Sequence, residues 1–495
     1  MPENAARLSD ATLGQLKNSV NVPQFDRSQL AIGQVHLGVG AFFKAHVAQY
    51  TQRAIEKASG DWGVCGVSLQ SSNVRNTLLP QDNLFTVTEK NGAGASVNVV
   101  SVLKEILVAP ENPKAVVDAI TDPKVKLVTL TVTEKGYCLD PATNELQFDH
   151  PDIQHDLNYP AAPRTAIGIL ASAIKIRLKA RRRLSVVSCD NLSSNGIRLQ
   201  SAVKEFIAEA SPEILPAFDD LVRFPSTMVD RITPATTEDD LGDVYKSSGL
   251  YDQAAVITEP FTQWVIEDAF TTDRPAWEGA GATLVGDVAP YELAKLRLLN
   301  GPHSTIAYLG YLMGYEFVSD AMADPDLSSF IFALQEKEIA PTLSTPAGLP
   351  LAPYIMELNE RFCNPALRHK TWQIAMDGSQ KLPQRLVETI RAQLKEDGPI
   401  DRLSLAIAAW TQYVSGTDEN GEAIDVRDPM AERLRKIGQE AGNDPIDRAR
   451  AFLSVSKIFG DDLIQSERFC SALSKAIEVL RKRGARDAMM MNGGR

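Results

Sequence analysis

Short apolar runs alternate with amphipathic stretches over the first part of the chain. An apolar run at residues 34–37 predicts a buried strand, the stretch at 42–58 has the period of a helix, and the run at 62–69 predicts a second strand. Gly38-Val39-Gly40 lies between the first strand and the helix. A strand, a glycine turn, a helix and a strand in this order are typical of a dinucleotide-binding βαβ unit, in which the glycines let backbone N–H groups approach a pyrophosphate.

The alternation of strands and helices continues and then stops. The next helix and strand patterns lie at residues 113–120, 126–132, 167–178 and 184–188. From residue 290 onward, helical patterns follow one another with few strand signals. Alternating strands and helices predict a parallel sheet covered by helices. We therefore predict an α/β fold with a Rossmann-type doubly wound sheet domain over residues 1–288, followed by a mostly α-helical C-terminal domain over residues 289–495.

The glycine turn matches the dinucleotide fingerprint only in part. Phe43 stands where a third glycine would fall, and no carboxylate ends the second strand to bind the adenosine ribose. Nucleotide binding is still favoured over an ordinary tight turn, because strands are predicted on both sides. Ser68 near the end of the second strand and Arg75 after it occupy the region where an acid would stand. Both can bind a 2′-phosphate, so NADP stays open as a cofactor.

Residues 291–304 carry most of the candidate chemistry. Four polar side chains of this segment fall within an arc of about 140° on a helical wheel: Lys295, Glu292, His303 and Asn300. Gly301-Pro302 should interrupt the helix, because a proline has no N–H for the carbonyl one turn back. The competing interpretation is an amphipathic surface helix with an exposed pair of Lys295 and Glu292.

Leucines surround the polar residues of this segment on most sides, at Leu293, Leu296, Leu298 and Leu299. A helix of this kind is typically buried, and burial lowers the pKa of a lysine. Lys295 is therefore a candidate general base for an alcohol. Asn300 can donate an amide N–H to an oxygen that gains negative charge, and His303 can orient the same oxygen. Taken alone, the segment fits a plain core helix equally well.

Two further polar positions follow predicted strands. Asn191 comes just after the strand at 184–188, at the edge where the nicotinamide end of a dinucleotide would reach. An asparagine in such a loop is more often a turn or cap residue. Asp230 and Arg231 lie in an apolar setting, where charges are generally paired. A role for Asp230 in lining a site is the alternative.

Charge and cysteine usage exclude several classes of protein. A net charge of -12 and a pI near 5.2 argue against nucleic acid or an anionic membrane as the main partner, because both attract basic surfaces. The five cysteines form no Cys-x-x-Cys pair, which argues against a disulfide framework and a thiolate zinc site. No signal-peptide pattern and no apolar run of about 18 residues is present. We expect a cytoplasmic protein, a monomer or small homo-oligomer, with a small-molecule partner and no metal.

As a set, the motifs resemble those of the polyol-specific long-chain dehydrogenases, the mannitol dehydrogenase family. The resemblance runs essentially end to end, and its strongest motif is Lys295-x4-Asn300-x2-His303. The other matching motifs are Gly38-Val39-Gly40-Ala41-Phe42, Cys189-Asp190-Asn191 and residues 131–137, 228–234 and 259–268. The resemblance implies metal-independent hydride transfer between a secondary alcohol and a nicotinamide, with NAD as the cofactor.

The resemblance also implies roles for individual residues. The implied catalytic residues are Lys295 as general base, Asn191 and Asn300 as the amides that hold the alkoxide, and His303 as a substrate-orienting group. Glu292 would be a proton outlet, and Asp230 and Lys381 would lie near the substrate. The implied cofactor-binding residues are Gly38, Gly40, Ala41, Phe42, Ser68 and Asn191. Phe43-Lys44 departs from the His-Arg of the family pattern beside the pyrophosphate turn.

Within the family, residues 135–138, 310–314 and 368–385 are most similar to the fructuronate reductases, also called D-mannonate oxidoreductases. A uronate carries a carboxylate, which calls for a cation. Lys370, Lys381 and Arg385 are candidates, and surface solvation is the plain alternative. The expected reaction is the NAD(H)-dependent interconversion of D-fructuronate and D-mannonate. A mannitol 2-dehydrogenase or related polyol dehydrogenase, and a catalytically silent dinucleotide-binding sensor, stay open as alternatives.

Overall fold

The computed structural model describes residues 5–140 and 143–492. The chain divides into two units, Met1–Ala289 and Pro290–Arg495, called unit 1 and unit 2 below. Unit 1 is built around a parallel sheet, and unit 2 is built mostly from helices. The predicted fold class, an α/β sheet domain followed by a mostly helical region, is confirmed.

Six parallel strands form the main sheet of unit 1. Side by side they are Leu103–Val108, Gly63–Ser68, Ile32–Leu37, Leu127–Leu130, Leu184–Ser188 and Val222–Arg223. Counted along the chain, this spatial order is third, second, first, fourth, fifth and sixth, the order of a Rossmann sheet. The order reverses between Ile32–Leu37 and Leu127–Leu130. In doubly wound sheets, ligands bind at the carboxyl ends of the strands at such a reversal.

Helices cover both faces of the main sheet, which explains the continuous apolar runs of its strands. Leu127 packs in the same apolar cluster as Ile55, whereas Val128 packs in another with Leu170. Neighbouring residues of one strand thus serve opposite faces. The α-helices of unit 1 are Ala41–Ala45, Val47–Ala58, Asn73–Leu78, Pro113–Thr121, Pro151–Asn158, Ala166–Lys179, Asn195–Ala210, Phe218–Leu221 and Glu238–Ser248.

The helix predicted at residues 42–58 is in fact two helices, separated at His46. His46 has φ -121° and ψ -83°, which lies outside the helical region. Its ring stacks on Phe42 with centroids 4.8 Å apart, and its Nε2 lies 3.0 Å from the carbonyl oxygen of Gln263. The prediction of one continuous helix is therefore wrong at His46, where these contacts accompany the departure from helical geometry.

Two smaller sheets accompany the main sheet in the described part of unit 1, and the sequence pattern missed most of their strands. The strands of one sheet, in spatial order, are Val20–Asn21, Gly94–Val100, Phe85–Asn91 and Val256–Thr258. Those of the other are Thr227–Asp230, Gln263–Glu267 and Thr283–Val285. The second of these sheets places Asp230 at the last position of a strand.

Over residues 290–492, unit 2 contains three wide turns of the π-helical type, in which N–H groups bond to carbonyls five residues back. They are Leu296–Asn300, Leu334–Ile339 and Pro383–Val387. The α-helices from residue 289 onward are Ala289–Lys295, Gly301–Leu312, Val318–Ala323, Pro325–Ala333, Leu351–Phe362, Thr371–Ala375, Gly378–Leu382, Glu388–Lys395, Asp401–Val414, Ala431–Glu440, Pro445–Leu453, Ser456–Phe459 and Glu467–Asn492, the last with a break at Gly484. Within residues 5–140 and 143–492, no helix is long and apolar enough to cross a bilayer.

Candidate active site

The helix that carries Lys295 continues past Pro302 instead of ending there. Its three consecutive parts are Ala289–Lys295, the wide turn Leu296–Asn300 and Gly301–Leu312. Gly301 keeps the helical angles φ -63° and ψ -58°, so the predicted interruption at Gly301-Pro302 is wrong. Pro302 leaves the Leu298 carbonyl without its usual helical donor. The side chain of Gln335 supplies a donor, because its Nε2 lies 2.9 Å from that oxygen.

The wide turn decides which residues of this helix share a face. The Gly301 N–H bonds to the Leu296 carbonyl, five residues back. Residues five apart, rather than four, therefore lie nearly above one another in this turn. Lys295 and Asn300 are five apart; Lys295 is 8% exposed and Asn300 is half-buried. The turn brings Asn300 nearer to the face of Lys295 than a regular helix would.

The predicted shell of leucines around these residues is only half formed. Leu298 and Leu299 are buried, but Leu293 is 37% exposed and Leu296 is half-buried. Glu292, the predicted proton outlet, is half-buried as well. The helix thus buries one side, with Glu292 at the margin of that side.

A second wide turn, Pro383–Val387, packs against the first. A Cβ atom on Gly301 would lie 2.8 Å from the carbonyl oxygen of Arg385, so glycine allows the approach of the two backbones. The Arg385 guanidinium donates to Ser304 Oγ at 3.0 Å and to the Asn300 carbonyl at 3.4 Å. Arg385, one of the predicted substrate-binding cations, is therefore fixed beside Asn300.

His303 lies in the first turn after Asn300, among rings and cations. Its ring stacks with that of His369 at 5.8 Å and lies 5.3 Å from that of Phe362. Burial lowers the pKa of His303 well below its ordinary value of 6.5, and nearby positive charge lowers the pKa further. The side chains responsible are His369, Arg385, Arg361 and Lys381. His303 is therefore neutral at pH 7, and its buried Nε2 has no hydrogen-bond partner among the described residues.

The structure separates the three cations predicted to bind a carboxylate. The charges of Lys381 and Arg385 both lower the pKa of His303. Burial lowers the pKa of Lys381, and the charge of Arg385 lowers it further. The Lys381 Nζ donates to the Met376 carbonyl at 2.6 Å. Lys370 instead forms an ion pair with Glu316 at 2.9 Å, and its side chain is 47% exposed. The exposure of Lys370 agrees with the alternative that it is a solvated surface residue.

Arg361 belongs to this group of cations, and the sequence interpretation missed it. It lies on the helix Leu351–Phe362 and is 6% exposed. The signal that could have found it is its spacing, because it follows the buried Leu358 by three residues and the buried Tyr354 by seven. An arginine on the apolar stripe of a helix needs a polar or charged environment. We call Arg361, Lys381 and Arg385 the cation group.

The glycine turn of unit 1 lies at the carboxyl end of Ile32–Leu37, next to the reversal of strand order. Gly38 has φ +95°, and a Cβ there would lie 2.1 Å from the Thr131 carbonyl oxygen. Gly40 and Ala41 are exposed, and nothing lies within 4 Å of a Cβ built on Gly40. Gly38 therefore permits the tight turn, and Gly40 leaves the backbone open to a ligand.

Phe43 and Lys44, the departure from the family pattern, face the interior of unit 1. Phe43 is fully buried and its ring stacks on His36 with centroids 3.9 Å apart. The Lys44 Nζ donates to the Ala254 carbonyl at 2.7 Å. Burial lowers the pKa of Lys44 to about 8. These contacts engage both side chains inside unit 1.

Ser68 and Arg75 mark the carboxyl end of the second strand. Ser68 is the last residue of Gly63–Ser68, and its Oγ donates to the Ser71 carbonyl at 2.6 Å. Arg75 lies on the helix Asn73–Leu78 and makes a two-pronged ion pair with Glu111. Arg75 is the cation that could bind the 2′-phosphate of NADP. It is paired instead with Glu111, which follows a different strand.

Asn191 follows a residue that is held by several hydrogen bonds. The Asp190 carboxylate accepts from the backbone N–H of Val132 at 3.1 Å and of Thr133 at 2.8 Å, and from the Tyr137 hydroxyl at 2.8 Å. Asp190 is 7% exposed, and burial raises its pKa. These hydrogen bonds fix Asp190 at the carboxyl edge of the main sheet, and the exposed Asn191 follows it directly.

Asp230 is 5% exposed at the end of the strand Thr227–Asp230. The neighbouring Arg231 is also buried and pairs with Glu89, from its Nη2 to Oε1 at 2.6 Å. Arg231 further donates to the Glu259 carbonyl at 2.9 Å. The charge of Arg231 is therefore bound within unit 1 by groups other than Asp230.

No group of three or more His, Cys, Asp or Glu side chains within residues 5–140 and 143–492 is arranged to hold a metal ion. The candidate polar groups described above are instead a lysine, an amide, an imidazole and cations in unit 2, and an amide and an open glycine turn in unit 1. Such groups can move a proton, donate hydrogen bonds to a developing alkoxide and attract an anion.

Comparison with known proteins places the whole chain beside dehydrogenases. Residues 32–279 match the model of the mannitol dehydrogenase Rossmann domain, and residues 287–481 match that of the mannitol dehydrogenase C-terminal domain. D-mannonate oxidoreductase from Escherichia coli (strain K12) is 45% identical over 94% of this chain and 97% of its own length. Mannitol 2-dehydrogenase from Phaeosphaeria nodorum is 38% identical over 98% of this chain and 87% of its own length.

A solved structure is similar over nearly the same extent. It is the ternary complex of Pseudomonas fluorescens mannitol 2-dehydrogenase with NAD and D-mannitol, which is 35% identical in sequence. The TM-score is 0.84, and the match covers 98% of this chain and 99% of that one. The resemblance in sequence motifs thus extends to the fold of the chain.

Proposed function

The chain belongs to the mannitol dehydrogenase family, oxidoreductases that act on secondary alcohols, and from this premise we propose that it interconverts D-fructuronate and D-mannonate with NAD(H). The observation that carries the choice of substrate is the cation group around His303. A positive local potential favours a substrate with a carboxylate over a neutral polyol, because charge-assisted hydrogen bonds to carboxylates are strong. The 45% identity to a D-mannonate oxidoreductase supports the same substrate.

In the proposed mechanism, Lys295 takes the proton of the alcohol and Glu292 passes it toward solvent. Asn300 donates an amide N–H to the oxygen as negative charge develops there, and the wide turn supports this role because it brings Asn300 toward the face of Lys295. Asn191 supplies the second amide. Neutral His303 offers its buried Nε2 to a substrate oxygen. Asp230 binds a further hydroxyl group.

We assign the cofactor to unit 1, with Gly38, Gly40, Ala41, Phe42 and Ser68 as its binding residues and Asn191 at its nicotinamide end. The open backbone at Gly40 fits a pyrophosphate, since no atom lies within 4 Å of a Cβ built there. The structural relative in complex with NAD supports the choice of NAD. A bound nicotinamide would supply or accept the hydride.

The test is a comparison of two ketones under the same conditions. The purified chain is assayed with NADH and either D-fructuronate or D-fructose. We expect kcat/KM for D-fructuronate to exceed that for D-fructose by about 100-fold or more, because a site built for a charged group rejects an analogue that lacks it. A preference for D-fructose would overturn the proposal.

Two variants connect this activity to the proposed site. Lys295→Ala should lower kcat by about 100-fold to 10,000-fold, the usual contribution of a general base. Lys337→Ala is the matched control, because Lys337 is an exposed lysine in another wide turn of unit 2. A folded Lys295→Ala protein with near-normal turnover would contradict the proposed mechanism.

A mannitol 2-dehydrogenase is the second candidate function. It is favoured by the 38% identity to the Phaeosphaeria nodorum enzyme and by the mannitol complex of the structural relative. The same assay distinguishes it, since that function requires fructose as the better ketone. The relatives named above are oxidoreductases, which argues against a catalytically silent sensor.

A further inference from the structure

Arg75 and Glu111 meet beside the end of the second strand of the main sheet. Arg75 Nη1 lies 2.5 Å from Glu111 Oε2, and Nη2 lies 3.0 Å from Oε1. Glu111 comes three residues after Val108, and Val108 pairs with Ser68, the last residue of the second strand. Both charged groups therefore lie at the carboxyl edge, next to Ser68.

This edge is where a doubly wound sheet receives the adenosine half of a dinucleotide. In such sheets an acid after the second strand binds the ribose hydroxyls of NAD, or an arginine nearby accommodates the 2′-phosphate of NADP. The chain has Leu69, Gln70, Ser71 and Ser72 after that strand and no acid. The acid comes instead from the connection after Leu103–Val108, and it is bound to the arginine.

We propose that the ion pair of Arg75 and Glu111 sets the cofactor preference of the chain, with Glu111 excluding the 2′-phosphate of NADP. Both terminal nitrogens of the Arg75 guanidinium, which could hold a phosphate, donate to the Glu111 carboxylate. A phosphate would have to displace that carboxylate and would be repelled by it. The pair is accessible to a ligand, since the side chains are 30% and 50% exposed. The inference rests on the proposed function only in that unit 1 binds the dinucleotide.

The test uses nucleotide fragments and no sugar. Binding of 5′-AMP and of adenosine 2′,5′-bisphosphate to the full chain is measured by isothermal titration calorimetry. We expect the wild-type chain to bind the bisphosphate no more tightly than AMP. In Glu111→Gln the freed Arg75 should tighten bisphosphate binding by roughly threefold to fivefold, the upper scale of a partly exposed charge pair, with AMP binding changed less than twofold. The same substitution should tighten the binding of NADP by a similar factor and leave the binding of NAD nearly unchanged.

Two further variants make the result specific. Arg75→Met combined with Glu111→Gln should lose the gain, because the cation that binds the phosphate is gone. Glu105→Gln removes an exposed acid from the strand Leu103–Val108, which precedes Glu111, and should leave the ratio of the two ligands unchanged. Equal changes for both ligands, a gain that survives in the double variant, or a wild-type chain that prefers the bisphosphate would overturn the proposal. Failure of D-fructuronate turnover would overturn the proposed function and leave these binding results intact.

Discussion

Lys44 is a lysine whose ammonium lies inside unit 1, 2.7 Å from the Ala254 carbonyl. Burial lowers the pKa of Lys44 from 10.5 to about 8 in the folded chain. Between these two values the unfolded chain holds a proton that the folded chain has lost. The contribution of Lys44 to the free energy of unfolding therefore rises as the pH rises through this window.

A pair of variants measures this contribution. Relative to Lys44→Met, the wild-type free energy of unfolding should increase by about 1–2 kcal/mol between pH 8 and pH 10, as measured by urea denaturation at several pH values. Lys57→Met is the control, because Lys57 is exposed at the end of the helix Val47–Ala58. A difference between wild type and Lys44→Met that does not change with pH would contradict a depressed pKa.

At the scale of residues, the sequence could group those candidate site residues that one helix carries. The spacing of Lys295, Asn300 and His303 predicts a shared helix, and the structure places them on its consecutive parts. Arg361 and Glu111 were not found, because each meets its neighbours through a contact between distant parts of the chain. Arg75 and Glu111 are 36 residues apart in sequence, and no local pattern indicates that they pair.

At the scale of elements, the contact between two wide turns gives the next prediction. Gly301→Ala would put a Cβ 2.8 Å from the Arg385 carbonyl oxygen, and backbone atoms cannot move aside as a flexible side chain can. We expect a loss of about 1–3 kcal/mol in the free energy of unfolding, as for overpacked cores. We also expect kcat to fall about tenfold, because the turns that carry Asn300 and Arg385 are pushed apart.

Gly310→Ala is the control on the same helix. A Cβ on Gly310 would meet two side-chain methyl carbons, of Ala321 at 3.1 Å and of Thr371 at 3.5 Å. We expect a smaller effect on stability, since alanine favours the helix by about 1 kcal/mol over glycine, and no effect on kcat. Denaturation curves and steady-state kinetics of both variants measure the difference. Equal losses of kcat in the two variants would mean that the close approach at Gly301 has no special role.

The sequence predicted four of the six strands of the main sheet, but it predicted neither Leu103–Val108 nor Val222–Arg223, and none of the wide turns. Parallel strands covered on both faces are continuous apolar runs, and Leu184–Ser188 has the predicted bounds. The hairpin strand Gly94–Val100 was missed because its first three residues are exposed and give no apolar alternation. A wide turn adds one residue to a helical turn without any change in composition. Its position depends on contacts such as that of Gln335 with the Leu298 carbonyl.

At the scale of the whole molecule, the two units carry different parts of the proposed function. The parallel sheet of unit 1 provides a ligand edge for a dinucleotide, and the helices of unit 2 provide a lysine, an amide and a cation group. The change from alternating strands and helices to helices alone is visible in the sequence, because it is a change of period over many residues. The residues that each unit presents to its ligand depend on turns and on contacts between distant side chains. The hydrophobic periodicity of the sequence does not indicate either of these.

Hydrogen exchange can test this division of roles in the intact chain. NADH alone should slow amide exchange in peptides that cover residues 38–42 and 68–75, because a bound ligand stabilises the segments that it contacts. Addition of D-mannonate to the NADH complex cannot lead to turnover, since both partners are already reduced. It should further slow exchange in peptides that cover residues 296–304 and 381–385.

The exposed helix Ala431–Glu440 serves as an internal control and should exchange at the same rate in all three states. Mass spectrometry of peptic fragments gives the rates. Protection of residues 381–385 by D-mannonate but not by D-mannitol at the same concentration would follow from the cation group, because only D-mannonate carries a carboxylate. Equal protection by D-mannonate and D-mannitol would contradict the role of the cation group. Protection by NADH that is confined to unit 2 would contradict the placement of the cofactor in unit 1.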